Sequence, residues 1–309
     1  MIRFFLQRGF TALRLAMLLP IVGIAAESFS EVNPETNAHA RREAVRNTFG
    51  TYDAEPRQSD GRVDIERLVR ELTEIKARTY NFLIWHGSND WSDLQLFLPR
   101  AREHAIQVWV TLVPPSESPP HAKTFSEPFR LDYERWAIEI AQLSRRETNL
   151  VAWSVDDFAY NAKTFTPEYL QSLQTQAHTI NPRLAFVPCL YYRQLTPEFA
   201  SKYRPLFDGL LFPYRHESAG SNLSEWDTLP AEVARIRELF GPTLPILVDV
   251  YATRHSRLGD STPEYVKRVM ELGREHADGV LIYCHQYADE NPAKHAVIKQ
   301  LFQTWSRKP

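Results

Sequence analysis

The stretch "LVAWSVDDFAYN", residues 150–161, decides how the chain is read. A nearly continuous apolar run, Leu150 to Val155, passes straight into two adjacent acids, Asp156 and Asp157. A strand that is apolar on both faces belongs to a parallel sheet covered on both sides. In a closed sheet of that kind the C-terminal strand ends carry the chemistry. Two like charges at such an end need a use, because an acid beside apolar surface costs free energy unless something partners it.

Seven more runs of the same kind flank this one. They are "TFGTY" (48–52), "YNFLIW" (80–85), "QVWVTLVP" (107–114), "LAFVPCLYY" (184–192), "GLLFPY" (209–214), "PILVDVYA" (245–252) and "GVLIYCHQ" (279–286). Amphipathic segments separate them. Three of these open on the same signal, Thr166-Pro167-Glu168, Thr196-Pro197-Glu198 and Thr262-Pro263-Glu264. Threonine caps free N–H groups, proline suits the first helical position, and glutamate favours the positive end of the helix. Eight strands alternating with helices predict an α/β chain folded as one (β/α)8 TIM barrel over residues 47–309. The competing open sheet would carry a Gly-rich phosphate loop after its first strand, and none is present, so no nucleotide cofactor is expected.

The 309 residues are 43% hydrophobic and 24% charged, with a formal charge of −2. That balance suits a globular protein and points to neither nucleic acid nor an anionic membrane as partner. Arg3, Arg8 and Arg14 precede the apolar run Leu15–Ala26, which ends on small residues. This is the pattern of a secretory signal peptide over residues 1–26, implying a secreted or periplasmic protein with no stable membrane insertion after its removal. Residues 27–46 are read as a flexible N-terminal segment. The two cysteines, Cys189 and Cys284, are expected to be free buried thiols.

The polar residues that end the runs form the candidate site. Asp156 and Asp157 are the candidate catalytic acids. Tyr52, Trp85, His86, Asn161, Tyr191, Tyr214, Asp249, Tyr251, Tyr283 and Gln286 are the candidate substrate contacts. Aromatic faces stack on the apolar faces of a sugar while acids and amides bind its hydroxyls. Cleavage of a glycosidic bond usually requires two carboxyl groups, one held protonated. Adjacent acids supply this, since ionising one raises the pKa of the other. Asp157 could instead pair with Asp249 or Glu217 across the barrel mouth. His86, His216, His255 and His285 lack local ligand spacing, so no metal is expected.

The Asp156-Asp157-Phe158 sequence at the end of the fourth run resembles retaining N-acetylglucosaminidases of the O-GlcNAcase and bacterial hyaluronidase-like type. Val187-Pro188-Cys189-Leu190-Tyr191 is similar to that family's Cys-Pro-x-x-Tyr segment. Gly50-Thr51-Tyr52-Asp53 and Val248-Asp249-Val250 stand where the family has Gly-Phe-Tyr-Gly and Trp-Asp-Asn. The resemblance implies that Asp156 polarises a substrate acetamido group, Asp157 is the general acid/base and Tyr191 contacts the intermediate. The expected activity is hydrolysis of a glycosidic bond in a carbohydrate substrate. The alternatives are a non-catalytic carbohydrate-binding barrel, with both aspartates neutralised by Arg193 or Arg215, and a metal-dependent hydrolase.

Overall fold

The structure, a computed structural model, describes residues 34–307. The signal segment, residues 1–26, lies outside the described residues. The chain runs α1 (Pro34–Val45), β1 (Thr48–Tyr52), α2 (Ile65–Ile75), β2 (Thr79–Ile84), α3 (Asp90–Glu103), β3 (Gln107–Leu112), α4 (Tyr133–Arg146) and β4 (Leu150–Val155). It continues α5 (Pro167–Ile180), β5 (Ala185–Phe186), α6 (Pro197–Tyr203), β6 (Leu210–Tyr214), α7 (Leu229–Phe240) and β7 (Ile246–Tyr251). A hairpin of β8 (Arg254–His255) and β9 (Gly259–Asp260) precedes α8 (Pro263–His276), β10 (Gly279–Tyr283) and α9 (Pro292–Ser306).

Eight parallel strands lie in the order β5-β4-β3-β2-β1-β10-β7-β6. A parallel bridge between Cys189 and Leu211 brings the two ends together. There the Leu190 N–H donates to the Leu211 carbonyl and the Leu211 N–H to the Pro188 carbonyl, both at 2.9 Å. The result is the expected (β/α)8 barrel. Strand β5 is much shorter than its run because Pro188 has no N–H and Asp208 takes the Phe186 N–H at 3.0 Å. Gly50 is where β1 passes close to β2, and a Cβ there would collide with the Thr79 carbonyl.

Side-chain alternation divides the core in two. Tyr80, Phe82, Val110, Trp153, Phe186, Phe212 and Val248 point outward beneath the helices. Trp109, Ala152, Ala185, Val187, Leu211, Leu247 and Leu281 fill the barrel interior. All three Thr-Pro-Glu signals start helices as expected. Thr166, Thr196 and Thr262 accept N–H bonds from Tyr169 (3.2 Å), Phe199 (3.1 Å) and Tyr265 (3.1 Å).

Residues 34–45 depart from the flexible segment expected over 27–46. They form α1, whose Val45 packs into the lower barrel interior. The Arg41 guanidinium bonds Asp208 at 2.7 Å and the Pro182 carbonyl at 3.0 Å. Arg46 reaches Asp278 and the Thr243 carbonyl. These partners sit just before β5, β6, β7 and β10, so α1 is stapled across the end of the barrel opposite the C-terminal ends of the strands.

Candidate active site

The inward positions alternate along each strand, and at the C-terminal ends they open into a cavity of about 310 Å³. Strand β4 contributes Ala152, Ser154 and then Asp156, all on the interior parity. Strict alternation would send Asp157 outward. It does not leave, because Asp157 adopts a left-handed conformation, φ 45° and ψ 38°, which turns the chain and places both acids on the same cavity. A non-glycine residue held there is strained and needs surrounding support. The Asp157 N–H bonds the Asp156 carboxylate at 2.9 Å, and the Asp157 carbonyl accepts from Asn161 at 2.9 Å.

Both aspartates have raised pKa values. For Asp156 the causes are burial and the neighbouring Asp157 charge, opposed by a hydrogen bond from the Cys189 thiol. Burial also raises Asp157, while a hydrogen bond from Tyr191 and the charges of Arg215 and Arg257 favour its ionised form. Neither forms an ion pair among the described residues. Arg215 instead pairs with Glu217 and lies 4.1 Å from the Tyr191 ring centroid. Glu217 also accepts the Arg193 N–H at 3.0 Å, so it is consumed in holding the loop after β6 and is not available as a partner acid for Asp157.

Three further acids line the same cavity, Asp53, Asp249 and Glu117. Asp249, 1% exposed, accepts from the Tyr52 hydroxyl at 2.9 Å, while its other oxygen has no partner. Burial pushes its pKa up to about 8, against the Tyr52 bond. Glu117, in the turn after β3, is raised to about 7 by burial and by the charges of Asp156 and Asp157. The aromatic wall is formed by Tyr52 and Tyr283, 5.2 Å apart, with Tyr251 edge-on to Tyr283 at 5.3 Å. Trp85 and His86, after the neighbouring strand β2, line the same cavity. Their loop is built on Asp90, whose carboxylate accepts the N–H groups of Trp85, His86 and Gly87 at 3.0, 2.8 and 2.8 Å.

Three expected contacts lie elsewhere. Asn161 is a brace: its amide nitrogen donates to the Ser116 hydroxyl and the Asp157 carbonyl, and its oxygen accepts the Ser116 N–H, all at 2.9 Å. Tyr214 points outward on β6 and packs against Tyr265, its hydroxyl bonded to Thr228 at 3.0 Å. Gln286 lines a neighbouring cavity and bonds the Cys284 carbonyl at 2.6 Å. Glu117, Arg257, Asn81 and Thr111 are cavity residues that strand-end inspection missed. Inward parity on β2 and β3 would have found Asn81 and Thr111. Glu117 and Arg257 lie in turns whose direction no periodicity encodes. Cys189 and Cys284 are free, the first buried and the second half-buried. Among the described residues no group of three or more His, Cys, Asp or Glu side chains is placed to hold a metal ion.

No protein-family model matches the chain, and no curated protein matches it in sequence. Solved structures do match in fold. GH5_18 from Streptomyces cattleya, solved in complex with GlcNAc, aligns with a TM-score of 0.58 at 9% identity over 85% of this chain and 82% of its own. A GH2 β-galacturonidase from Eisenbergiella tayi, bound to galacturonate, gives 0.54 at 12% identity over 84% and 51%. The β-D-glucuronidase of Dictyoglomus thermophilum gives 0.52 at 14% identity over 85% and 51%. This chain shares the barrel fold of these proteins. It spans about half the length of the two uronidases, and at these identities the likeness is one of fold. No described helix is long and apolar enough to cross a membrane.

Proposed function

We propose that this protein is a glycoside hydrolase that cleaves a glycosidic bond in a glycan or oligosaccharide. Asp157 is the general acid/base and Asp156 assists it. The observation that carries this reading is the left-handed turn at Asp157, which holds two adjacent acids on one aromatic-walled cavity at the catalytic end of the barrel. Burial raises the pKa of both, and the Asp157 charge raises Asp156 further, so the pair gives up its protons less readily than free carboxyls, as an acid/base site requires. The acetamido-directed mechanism implied by the Asp-Asp resemblance is the finer form of the proposal. Asp156, held by the Cys189 thiol and the Asp157 N–H, would then polarise the acetamido group.

Asp157→Asn should lower kcat on aryl glycosides by at least about 10²-fold, the usual scale for losing an acid/base group. Wild-type rates in that variant would end the assignment. Faster turnover of 2-acetamido than of 2-hydroxy aryl glycosides supports the acetamido form. Binding of glycans with no turnover of any would leave a carbohydrate-binding barrel. The arginines and apolar run before Ala26 support export as well, and N-terminal sequencing of the protein from its native host, finding Met1 still present, would refute it.

A further inference from the structure

Asp157 and Glu117 face the same cavity in opposite company. Burial raises the Asp157 pKa, but the Tyr191 hydroxyl and the nearby Arg215 and Arg257 oppose that rise by favouring its carboxylate. The Glu117 carboxyl lines the cavity with no hydrogen-bond or ion-pair partner among the described residues, and the charges it faces are the two aspartates. A half-buried acid with only acids for neighbours favours its neutral form. The two turns that carry these residues are tied together. Ser116, next to Glu117, exchanges two hydrogen bonds with Asn161, and the same Asn161 amide holds the Asp157 carbonyl. Glu117 therefore keeps a set position relative to Asp157 without bonding it.

We infer that Glu117 supplies the proton to the departing sugar oxygen, leaving Asp157 the base half of the acid/base cycle. Nothing opposes the rise at Glu117, while three groups oppose it at Asp157, and two acids in one site whose surroundings push their pKa values apart divide the work of acid and base between them. The Glu117 O–H proton passes to the glycosidic oxygen as the bond from that oxygen to the anomeric carbon breaks, the bonding pair leaving with the oxygen. Water then adds to the anomeric carbon and gives its proton to the Asp157 carboxylate. Proton exchange with solvent reloads Glu117 and empties Asp157. The pKa of Glu117, about 7, suits an acid that must hold its proton near neutrality.

This role rests on the hydrolase reading, and leaving-group dependence separates the two. In the full-length protein, Glu117→Gln should lose about 10²-fold or more on an alkyl glycoside, whose leaving oxygen must be protonated. Its loss on the 2,4-dinitrophenyl glycoside, whose leaving group departs as an anion, should be at least tenfold smaller. Asp157→Asn should lose activity on both to a similar degree. Turnover of the activated substrate also shows that Glu117→Gln is folded. The role is overturned, and hydrolysis by Asp157 survives, if the leaving-group dependence appears in Asp157→Asn and is absent in Glu117→Gln. Wild-type protein inert on every glycoside would overturn both.

Discussion

At the scale of single residues, the site turns on backbone direction and on what surrounds each acid. Asp249 shows the second plainly. It sits on inward parity in β7, 1% exposed, with one oxygen on Tyr52 and none on the other. Its folded pKa of about 8 lies above the ordinary 3.8, so the folded state binds a proton that the unfolded state has released. Stability from this group is complete below about pH 4 and is lost as pH rises towards 8, at up to about 1.4 kcal/mol per pH unit. Asp249→Asn, which cannot ionise, should flatten the fall in urea-unfolding free energy between pH 5 and 8. A slope equal to wild type would show that Asp249 is ionised in the fold. Asp249 was legible in the sequence as an acid inside an apolar run. Its solution, a tyrosine hydroxyl from β1 and no ion pair with an arginine, depended on the barrel placing β1 one strand away from β7, across β10.

At the scale of elements, the caps and the strands were readable and the first helix was not. The Thr-Pro-Glu signals are local, since the capping hydroxyl and the N–H it satisfies are three residues apart. Helix α1 buries only Val45 and shows no apolar stripe, so periodicity cannot find it. It is held by long-range arginine contacts, the Arg41–Asp208 pair above all, with side chains 13% and 5% exposed. Arg41→Ala strands a buried carboxylate and should cost about 3 kcal/mol in urea unfolding. Arg67→Ala, which breaks the more exposed Arg67–Glu71 pair, should cost about 0.5 kcal/mol. Equal effects would mean that α1 is not anchored as described. The missed element matters for the site indirectly, since it seals the barrel end away from the cavity.

At the scale of the whole molecule, eight apolar runs with amphipathic segments between them determined the barrel, because a strand apolar on both faces demands cover on both and a crossover helix supplies it. The same pattern placed Asp156, Asp157, Tyr52, Trp85, His86, Tyr191, Asp249, Tyr251 and Tyr283 around one cavity. What only the tertiary structure decided is which of those acids keep partners. It gave Glu217 to Arg215, Asn161 to the brace between two turns, Tyr214 to the outer core, and left Glu117 facing the aspartates. Strand and helix identity follow from spacings of a few residues along the chain. Protonation and contact depend on groups brought together from strands far apart in sequence, and no local spacing carries that information.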